Sequence, residues 1–389
     1  MNPKNLQKFT KALSENYLHI VSFNVPYPAN YGGVIDVFHK IRCLHKLGVK
    51  IHLHCFEYGR PQAKELNAYC ASVNYYKRKK GLFHFLKSLP YIVATRTSET
   101  LIENLLKDKH PILLEGLHCC YLLKEKQLEG RFKIFRESNI EHEYYHHLFK
   151  GEKKPVKKYF YFFESIKLKR FENVLEKAQL MLTVSQSDTK YFANKFEHNK
   201  VIYLPSFHTN DDVTSYTGKG DYVLYHGNLE VNENLTAAFH ILRNIVSHSD
   251  KTFVFAGLNP PSDLVNEVSK YPNAQIVCNP DDEQMNTLIE KAHIHLMLTF
   301  QATGLKLKLL NVLFKGRFCI ANDNMLWGTD LDQLCHVSPD GNGIPAMIDF
   351  LFSQEFTSEE ILNRKKMLAK NYSNKVNAEK LAALIRFSR

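Results

Sequence analysis

Short apolar, β-branched runs alternate with segments of helical period along almost the whole chain. In the first half these runs are YLHIVSFN (17–24), KIHLHCF (50–56), PILLEGL (111–117), FKIFRE (132–137), LMLTVS (180–185) and VIYLPS (201–206), with helical patterns at 33–48 and 188–196. Strands alternating with helices predict parallel strands joined by crossover helices, a doubly wound α/β arrangement. The polar, turn-forming stretch HTNDDVTSYTGKGD (208–221) interrupts the pattern and reads as a linker. The alternation then restarts, with strands at 221–228, 252–258, 274–279, 293–300 and 317–323 and helices from about 233 and at 262–270, 281–292 and 305–315. Asn279 followed by Pro280, Asp281, Asp282 and Glu283 predicts a helix capped by Asn279, with acids at the positive end of the dipole. The last thirty or so residues read as helices with no strand after them.

A chain of 389 residues exceeds one ordinary core. The division expected is a Rossmann-like domain over 1–207, a linker over 208–220, a second Rossmann-like domain over 221–372 and a C-terminal helix, 373–389, returning to the first domain. Two such domains face each other across a cleft at the C-terminal ends of their strands, where doubly wound sheets bind ligands.

The eight cysteines (Cys43, Cys55, Cys70, Cys119, Cys120, Cys278, Cys319, Cys335) are scattered without a C-x-x-C pair and read as reduced core residues. The N-terminus lacks the plan of a signal peptide, and no apolar stretch is long enough to span a bilayer, so a cytoplasmic protein is expected. The formal charge of +11 is concentrated. Residues 77–87 carry five basic and no acidic side chains, residues 150–170 carry eight basic against two acidic, and together they account for the whole excess. Both segments interleave lysine with large apolar residues, which suits either contact with an anionic membrane at its inner face or amphipathic helices with buried rings. No recognition motif for nucleic acid accompanies the charge.

Three stretches carry candidate chemistry. Gly32 and Gly33 stand in the turn after the first strand, where absent side chains let backbone approach a ligand; their spacing is not the G-x-G-x-x-G of NAD- or FAD-binding folds, so no such cofactor is expected. In TFQATGLKLKLLNVLFKGRF a strand runs into a turn at Thr303 and Gly304, and a helix opens with Lys306 and Lys308, which oppose its dipole unless an anion binds there. EHEYYHH contains His142, Glu143 and His146 in the zinc-protease spacing H-E-x-x-H, with Glu164 eighteen residues past His146 as a third ligand candidate. Ser138 and Asn139, as natural N-caps, would instead place His142 in a helix's first turn.

Five stretches in order, PYPANYGGVIDVFHKIRCLHKLGVKIHLHCF, RESNIEHEYY, KRFENVLEKAQLMLTVSQSD, VLYHGNLEVNENLTA and TGLKLKLLNVLFKGRFCIAND, resemble a retaining glycosyltransferase of the GT-B fold, family 4 type, which builds bacterial surface polysaccharides and glycolipids from nucleotide-sugars. The resemblance implies a nucleotide-sugar-binding second domain and a first domain that binds a glycan or lipid-linked acceptor. It places Gly32 and Gly33 against the diphosphate or donor sugar, Gly227 and Asn228 near the donor, and Gly304, Lys306 and Lys308 around the phosphates. His118 falls beside the transferred sugar; Glu141, Asn139 and Tyr31 are the further catalytic and acceptor-side candidates. The family's two glutamates are replaced by Thr303 and Asn311, and asparagine hydrogen-bonds ribose hydroxyls without charge. No D-x-D-like pair stands in a turn, so transfer without a metal is expected. The alternatives are a degenerate protein that binds without turnover and the zinc protease.

Overall fold

A computed structural model of the chain describes residues 16–300, 307–338 and 343–386. It divides into two compact units, one made of Met1–Phe207 with Asn371–Arg389 and the other of His208–Lys370. Among the described residues the first holds seven strands, β1 (Tyr17–Ser22), β2 (Lys50–Glu57), β3 (Ser72–Lys77), β4 (Ile112–Glu115), β5 (Lys133–Arg136), β6 (Leu180–Thr183) and β7 (Lys200–Tyr203). They form one parallel sheet in the order β3-β2-β1-β4-β5-β6-β7. The second holds β8 (Val223–Asn228), β9 (Phe253–Leu258), β10 (Ala274–Cys278), β11 (Ile294–Met297), β12 (Phe318–Ala321) and β13 (His336–Val337), parallel in the order β10-β9-β8-β11-β12-β13. Both sheets therefore reverse winding direction beside their first strand, between β1 and β4 and between β8 and β11. The crevice beyond the carboxyl ends of those strand pairs is where such a sheet binds ligands.

Helices used below are α1 (Gly32–Lys46), α2 (Glu141–Gly151), α3 (Pro155–Phe171), α4 (Asn232–Asn244), α5 (Leu307–Lys315) and α6 (Asn374–Arg386). The two-residue period of the strands sorts side chains onto two buried layers. Leu18, Ile20, Leu113 and Ile134 join one cluster with Val37, Ile41 and Leu44 of α1 and Ala378, Leu381 and Ile385 of α6, while Val21, Ile112, Leu114 and Phe135 join the other.

Four ionisable side chains lie inside this apolar frame. Lys40 Nζ donates to Asp36 Oδ2 at 2.9 Å and to Glu115 Oε1 at 2.7 Å, and Arg136 reaches Asp36 at 3.1 and 3.3 Å. All four are at most 4% exposed. Asp36 also accepts from the Phe207 N–H at 2.7 Å, and the Arg136 guanidinium donates to the carbonyls of Leu204 and Pro205. Burial pushes the Asp36 carboxyl up, but the charges of Arg136 and Lys40 outweigh it and hold the group well below the usual carboxylate range. Two acids and two bases close the cluster at zero net charge.

A second buried chain of polar groups has a fixed sense. Asp108 only accepts, so His19 Nε2 carries the proton for their 2.9 Å bond; His19 Nδ1 then accepts from His54 Nε2 at 2.9 Å. His54 Nδ1 accepts from the Tyr76 hydroxyl at 2.8 Å, whose oxygen accepts from Asn104 at 2.9 Å. Burial lowers His19 to about 4 and His54 to about 3, which keeps both neutral.

Several sequence expectations are corrected. Ser72–Lys77 is a strand at the sheet edge, and its half-buried residues lack the apolar run that marked the others. The two-residue β13 was not foreseen either. Helix α2 begins at Glu141 with Ile140 as N-cap and no side-chain cap bond, so neither Ser138 nor Asn139 caps it. Asn279 adopts φ 52°, and the cap of the following helix is Asp281, which forms a capping box with Gln284. Cys278 is exposed rather than in the core.

Replacing Lys40 with methionine leaves two buried carboxylates facing one guanidinium and should destabilise the chain by roughly 3–5 kcal/mol. Lys40→Met with Glu115→Gln should recover part of that loss. Urea unfolding of the single and double variants measures both; a single-variant loss below about 1 kcal/mol would contradict the dry, coupled cluster.

Candidate functional site

In the first unit the switch point is built around Phe23, just past β1. A Cβ on Gly33 would lie 2.7 Å from the Phe23 ring, so the turn into α1 packs directly on that ring only because residue 33 is glycine. The N-cap of α1, Tyr31, makes no side-chain cap bond and the first turn contains no acid, which leaves this helix end receptive to negative charge. Tyr31 itself is exposed, its hydroxyl accepts from Asn24 Nδ2 at 3.1 Å, and the Arg60 guanidinium lies 5.4 Å from its ring centre.

The neighbouring strand β4 ends at Glu115 and turns at Gly116, whose φ of 70° suits glycine and where a Cβ would come within 2.9 Å of His118 Nδ1. His118 stacks on Phe23 with ring centres 5.1 Å apart. Its Nδ1 is buried without a hydrogen-bond partner among the described residues and lies 3.9 Å from Glu141 Oε1. Burial, reinforced by the charges of Arg96 and Arg78, lowers the imidazole well below its ordinary range and keeps it neutral. Burial also pushes the Glu141 carboxyl up to about 7, opposed by the Arg96 charge and a hydrogen bond from Ser138. Asn139 lies half-buried in the turn between β5 and α2, and its side chain makes no hydrogen bond among the described residues.

The structure thus gathers Gly33, His118 and Glu141 around one aromatic wall, with Gly32, Tyr31 and Asn139 on the adjoining turns. Sequence reasoning missed Phe23 and Arg96. The Arg96 guanidinium donates to the Phe23 carbonyl at 2.9 Å, from a short segment with no pattern of its own to signal it.

In the second unit Gly227 and Asn228 end β8. Asn234 of α4 donates to the Asn228 carbonyl at 2.9 Å and accepts from Lys308 Nζ at 2.9 Å, and the same ammonium lies 5.7 Å from the Tyr225 ring centre. Lys308 is therefore held over the end of β8 from the first turn of α5. The Asn311 side-chain oxygen, one turn further along α5, is buried without a hydrogen-bond partner among the described residues, and so is His226 Nδ1. Beside them Asn322 accepts from the Thr299 N–H and donates to its carbonyl, and the Thr299 hydroxyl donates to Glu233. The expected donor-side residues Thr303, Gly304 and Lys306 lie outside the described residues.

The zinc-protease constellation does not assemble. His142 Nδ1 is bonded to Glu172 at 3.2 Å, and Glu172 also takes the Tyr191 hydroxyl and Lys195. Glu164 accepts from the Tyr91 N–H at 2.5 Å and from Lys167 at 2.9 Å. Among the described residues no three histidine, cysteine, aspartate or glutamate side chains form a metal-ligand set.

The two basic segments meet on the first unit. Phe85 stacks against Tyr91 and packs edge-on against Phe160 of α3 at 4.9 Å, while Lys167 Nζ donates to the Phe85 carbonyl at 2.6 Å. Around that junction Phe83, Leu86, Val156, Tyr159 and Phe163 are exposed, Leu86 and Val156 by 85% and 86%. The aromatic residues of α3 are thus divided: Phe160 and Phe162 are half-buried, and Tyr159 and Phe163 face outward. No helix among the described residues is long and apolar enough to cross a membrane.

Solved structures similar to this chain share the two-domain architecture. Sucrose-phosphate synthase from Thermosynechococcus elongatus superposes with a TM-score of 0.69 at 10% identity, covering 96% of this chain and 99% of that one. TarM superposes at 0.67 and 10% identity with the same coverage. UGT71G1 of Medicago truncatula, solved with UDP-glucose, gives 0.52 at 10% identity over 97% of this chain and 100% of that one. These neighbours are GT-B glycosyltransferases, and the chain has their fold: two Rossmann-like domains. A Klebsiella pneumoniae protein described as an uncharacterized 44.6 kDa protein in the cps region is 27% identical over 329 residues, 78% of this chain and 81% of that protein. No protein-family model matches the sequence.

Glu141 offers a direct check on the electrostatics. Its folded pKa of about 7 lies above the ordinary 4.5, so the stability that its protonation preserves is fully present below pH 4.5 and is lost as the pH rises through 7. Glu141→Gln should therefore be more stable than the parent by about 3 kcal/mol at pH 8 and by less than about 1 kcal/mol at pH 5. Urea unfolding at the two pH values measures the gap; a gap that does not change with pH would contradict a carboxyl whose burial outweighs Arg96 and Ser138.

Proposed function

We propose that this protein is a glycosyltransferase that moves a sugar from a nucleotide-sugar to a glycan or lipid-linked acceptor, with retention, in surface polysaccharide biosynthesis. The observation that carries the reading is the His118–Glu141 pair behind the uncapped Gly32–Gly33 turn, set at the switch point of a fold shared with glycosyltransferases. The relative in a cps region supports the polysaccharide role.

In this reading the turn at Gly32 and Gly33 and the first turn of α1 face the donor diphosphate. Gly227, Asn228 and Lys308, with Gly304 and Lys306, hold the donor in the second unit, and the unpartnered oxygen of Asn311 accepts from a ribose hydroxyl. His118 lies against the transferred sugar as a neutral imidazole. Glu141, titrating near 7, takes up in its ionised form the proton that the acceptor hydroxyl loses. Tyr31 and Asn139 contact the acceptor. Lysine charge and helix N-termini stabilise the leaving diphosphate without a metal ion.

A thermal-shift screen against UDP-, GDP-, ADP- and CMP-sugars tests donor binding, since a ligand at 100 times its dissociation constant adds about 2.7 kcal/mol. One class of nucleotide should stabilise the chain and support transfer in excess chelator. Stabilisation by none sinks the donor reading, binding without turnover identifies a degenerate binder, and activity restored only by a divalent cation overturns metal independence.

The exposed rings and lysines of α3 and the 83–86 turn fit the inner face of an anionic membrane, with rings in the interface and lysines at the headgroups. The protein should co-sediment with phosphatidylglycerol vesicles and not with phosphatidylcholine vesicles. Phe83→Ser with Phe163→Ser should release it; retention by that variant would place the contact elsewhere.

A further inference from the structure

Three arginines gather at the carboxyl ends of β1, β2 and β3, and none of them forms an ion pair among the described residues. Arg60 is spent on backbone and amide oxygens: Val25 O at 2.8 Å, Asn30 Oδ1 at 2.8 Å and Pro28 O. Arg96 and Arg78 are different. Arg96 is 4% exposed, yet among the described residues its guanidinium hydrogen-bonds only two carbonyls, Phe23 through Nε at 2.9 Å and Ile92 through Nη1 at 2.7 Å. Its Nη2 has no partner among the described residues. Among the described residues Arg78 donates once, to Thr95 Oγ1 at 2.9 Å.

Both guanidinium groups lie against the same ring. Tyr58, 53% exposed, has Arg78 at 4.0 Å and Arg96 at 5.9 Å from its centre. A phenol ring attracts cations through its quadrupole but carries no charge to neutralise two of them. A buried guanidinium without a carboxylate keeps its desolvation cost and gains no countercharge, and a second cation beside it adds repulsion. Glu141, the carboxylate whose titration Arg96 shifts, forms no ion pair with it and is only partly ionised near neutrality. Such a pair stays favourable when an anion completes it, and the planar fork of arginine matches the paired oxygens of a phosphoryl or carboxylate group.

The position identifies what such an anion belongs to. Arg96 is fixed to the carbonyl of Phe23, and the ring of that residue carries His118 on one side and abuts Gly33 on another. The arginine pair and His118 thus share one wall of the first-unit switch point.

We propose that Arg78 and Arg96, with Tyr58, form an anion subsite beside His118 that binds a phosphoryl or carboxylate group of the acceptor, so that the acceptor is an anionic saccharide. This rests on the glycosyltransferase reading and narrows its substrate class. Arg96 supplies the buried, oriented fork, Arg78 the half-exposed second charge, and Tyr58 the face on which the sugar ring packs.

The test is calorimetric titration of the full chain with glucose 6-phosphate, glucuronate, neutral glucose and inorganic phosphate, each with and without the nucleotide-sugar found in the donor screen. At least one anionic sugar should bind roughly tenfold or more tightly than glucose and than inorganic phosphate; which one does so assigns a phosphoryl or a carboxylate group. Arg78→Gln and Arg96→Gln should each abolish that preference while nucleotide-sugar affinity stays within about twofold of the parent. Arg78 is half-exposed, so its variant keeps the test alive if the Arg96 variant misfolds. Equal binding of glucose and the anionic sugars overturns the proposal, as does inorganic phosphate binding as well as either. Loss of nucleotide-sugar affinity in Arg78→Gln, or displacement of the anionic sugar by the nucleotide-sugar, assigns the arginines to the donor diphosphate and also overturns it. Failure of the parent protein to bind any nucleotide-sugar is a separate outcome: it removes the glycosyltransferase reading and the acceptor role with it.

Discussion

The buried cluster of Asp36, Lys40, Glu115 and Arg136 is the constraint on which the first unit depends. Three of its four members stand within a few residues of a turn that shapes the candidate site. Asp36 follows Gly33 on α1, Glu115 is the last residue of β4 before Gly116, and Arg136 is the last residue of β5 before the turn that leads to Glu141. Moving any of these turns would separate charges that have no water to relax into. The cluster thus turns three separate loops into one rigid frame for Phe23, His118 and Glu141.

Outside that frame the site is electrostatically uneven. Burial removes charge from His118 and, near neutrality, from part of the Glu141 population, whereas Arg96 and Arg78 keep theirs. A site assembled from neutral acid–base groups and permanent cations favours ligands that bring their own negative charge. The second unit follows a milder version of the same logic, with Lys308 tethered through Asn234 over the end of β8 and buried polar atoms of Asn311 and His226 unpartnered among the described residues.

Much of the architecture was legible because parallel strands buried on both faces leave continuous apolar runs. Edge strand β3 was not, since SVNYYK is mostly half-buried and mixes polar with aromatic residues. Gly33 and His118 could be singled out, one by its place in a strand-to-helix turn and the other through family resemblance. The charge cluster could not. Asp36 and Lys40 stand four apart on a helix, a spacing that usually marks a solvated surface pair, and only the fold brings Glu115 and Arg136 against them from distant strands. Arg96 and Tyr58 were invisible for the same reason: they come from separate segments, and their meeting is a product of topology. The H-E-x-x-H spacing misled in the opposite direction, because a short motif says nothing about partners such as Glu172 and Tyr91, which claim His142 and Glu164 first.

The discontinuity of the first unit has a consequence in the order of synthesis. Helix α6 contributes Ala378, Leu381, Ala382 and Ile385 to the apolar layer beneath α1, yet the whole of the second unit lies between them in the chain. On the ribosome, α1 and the strands it covers emerge with one flank of their core still open. The first unit reaches its full core only when α6, the last of the described helices to be made, is released.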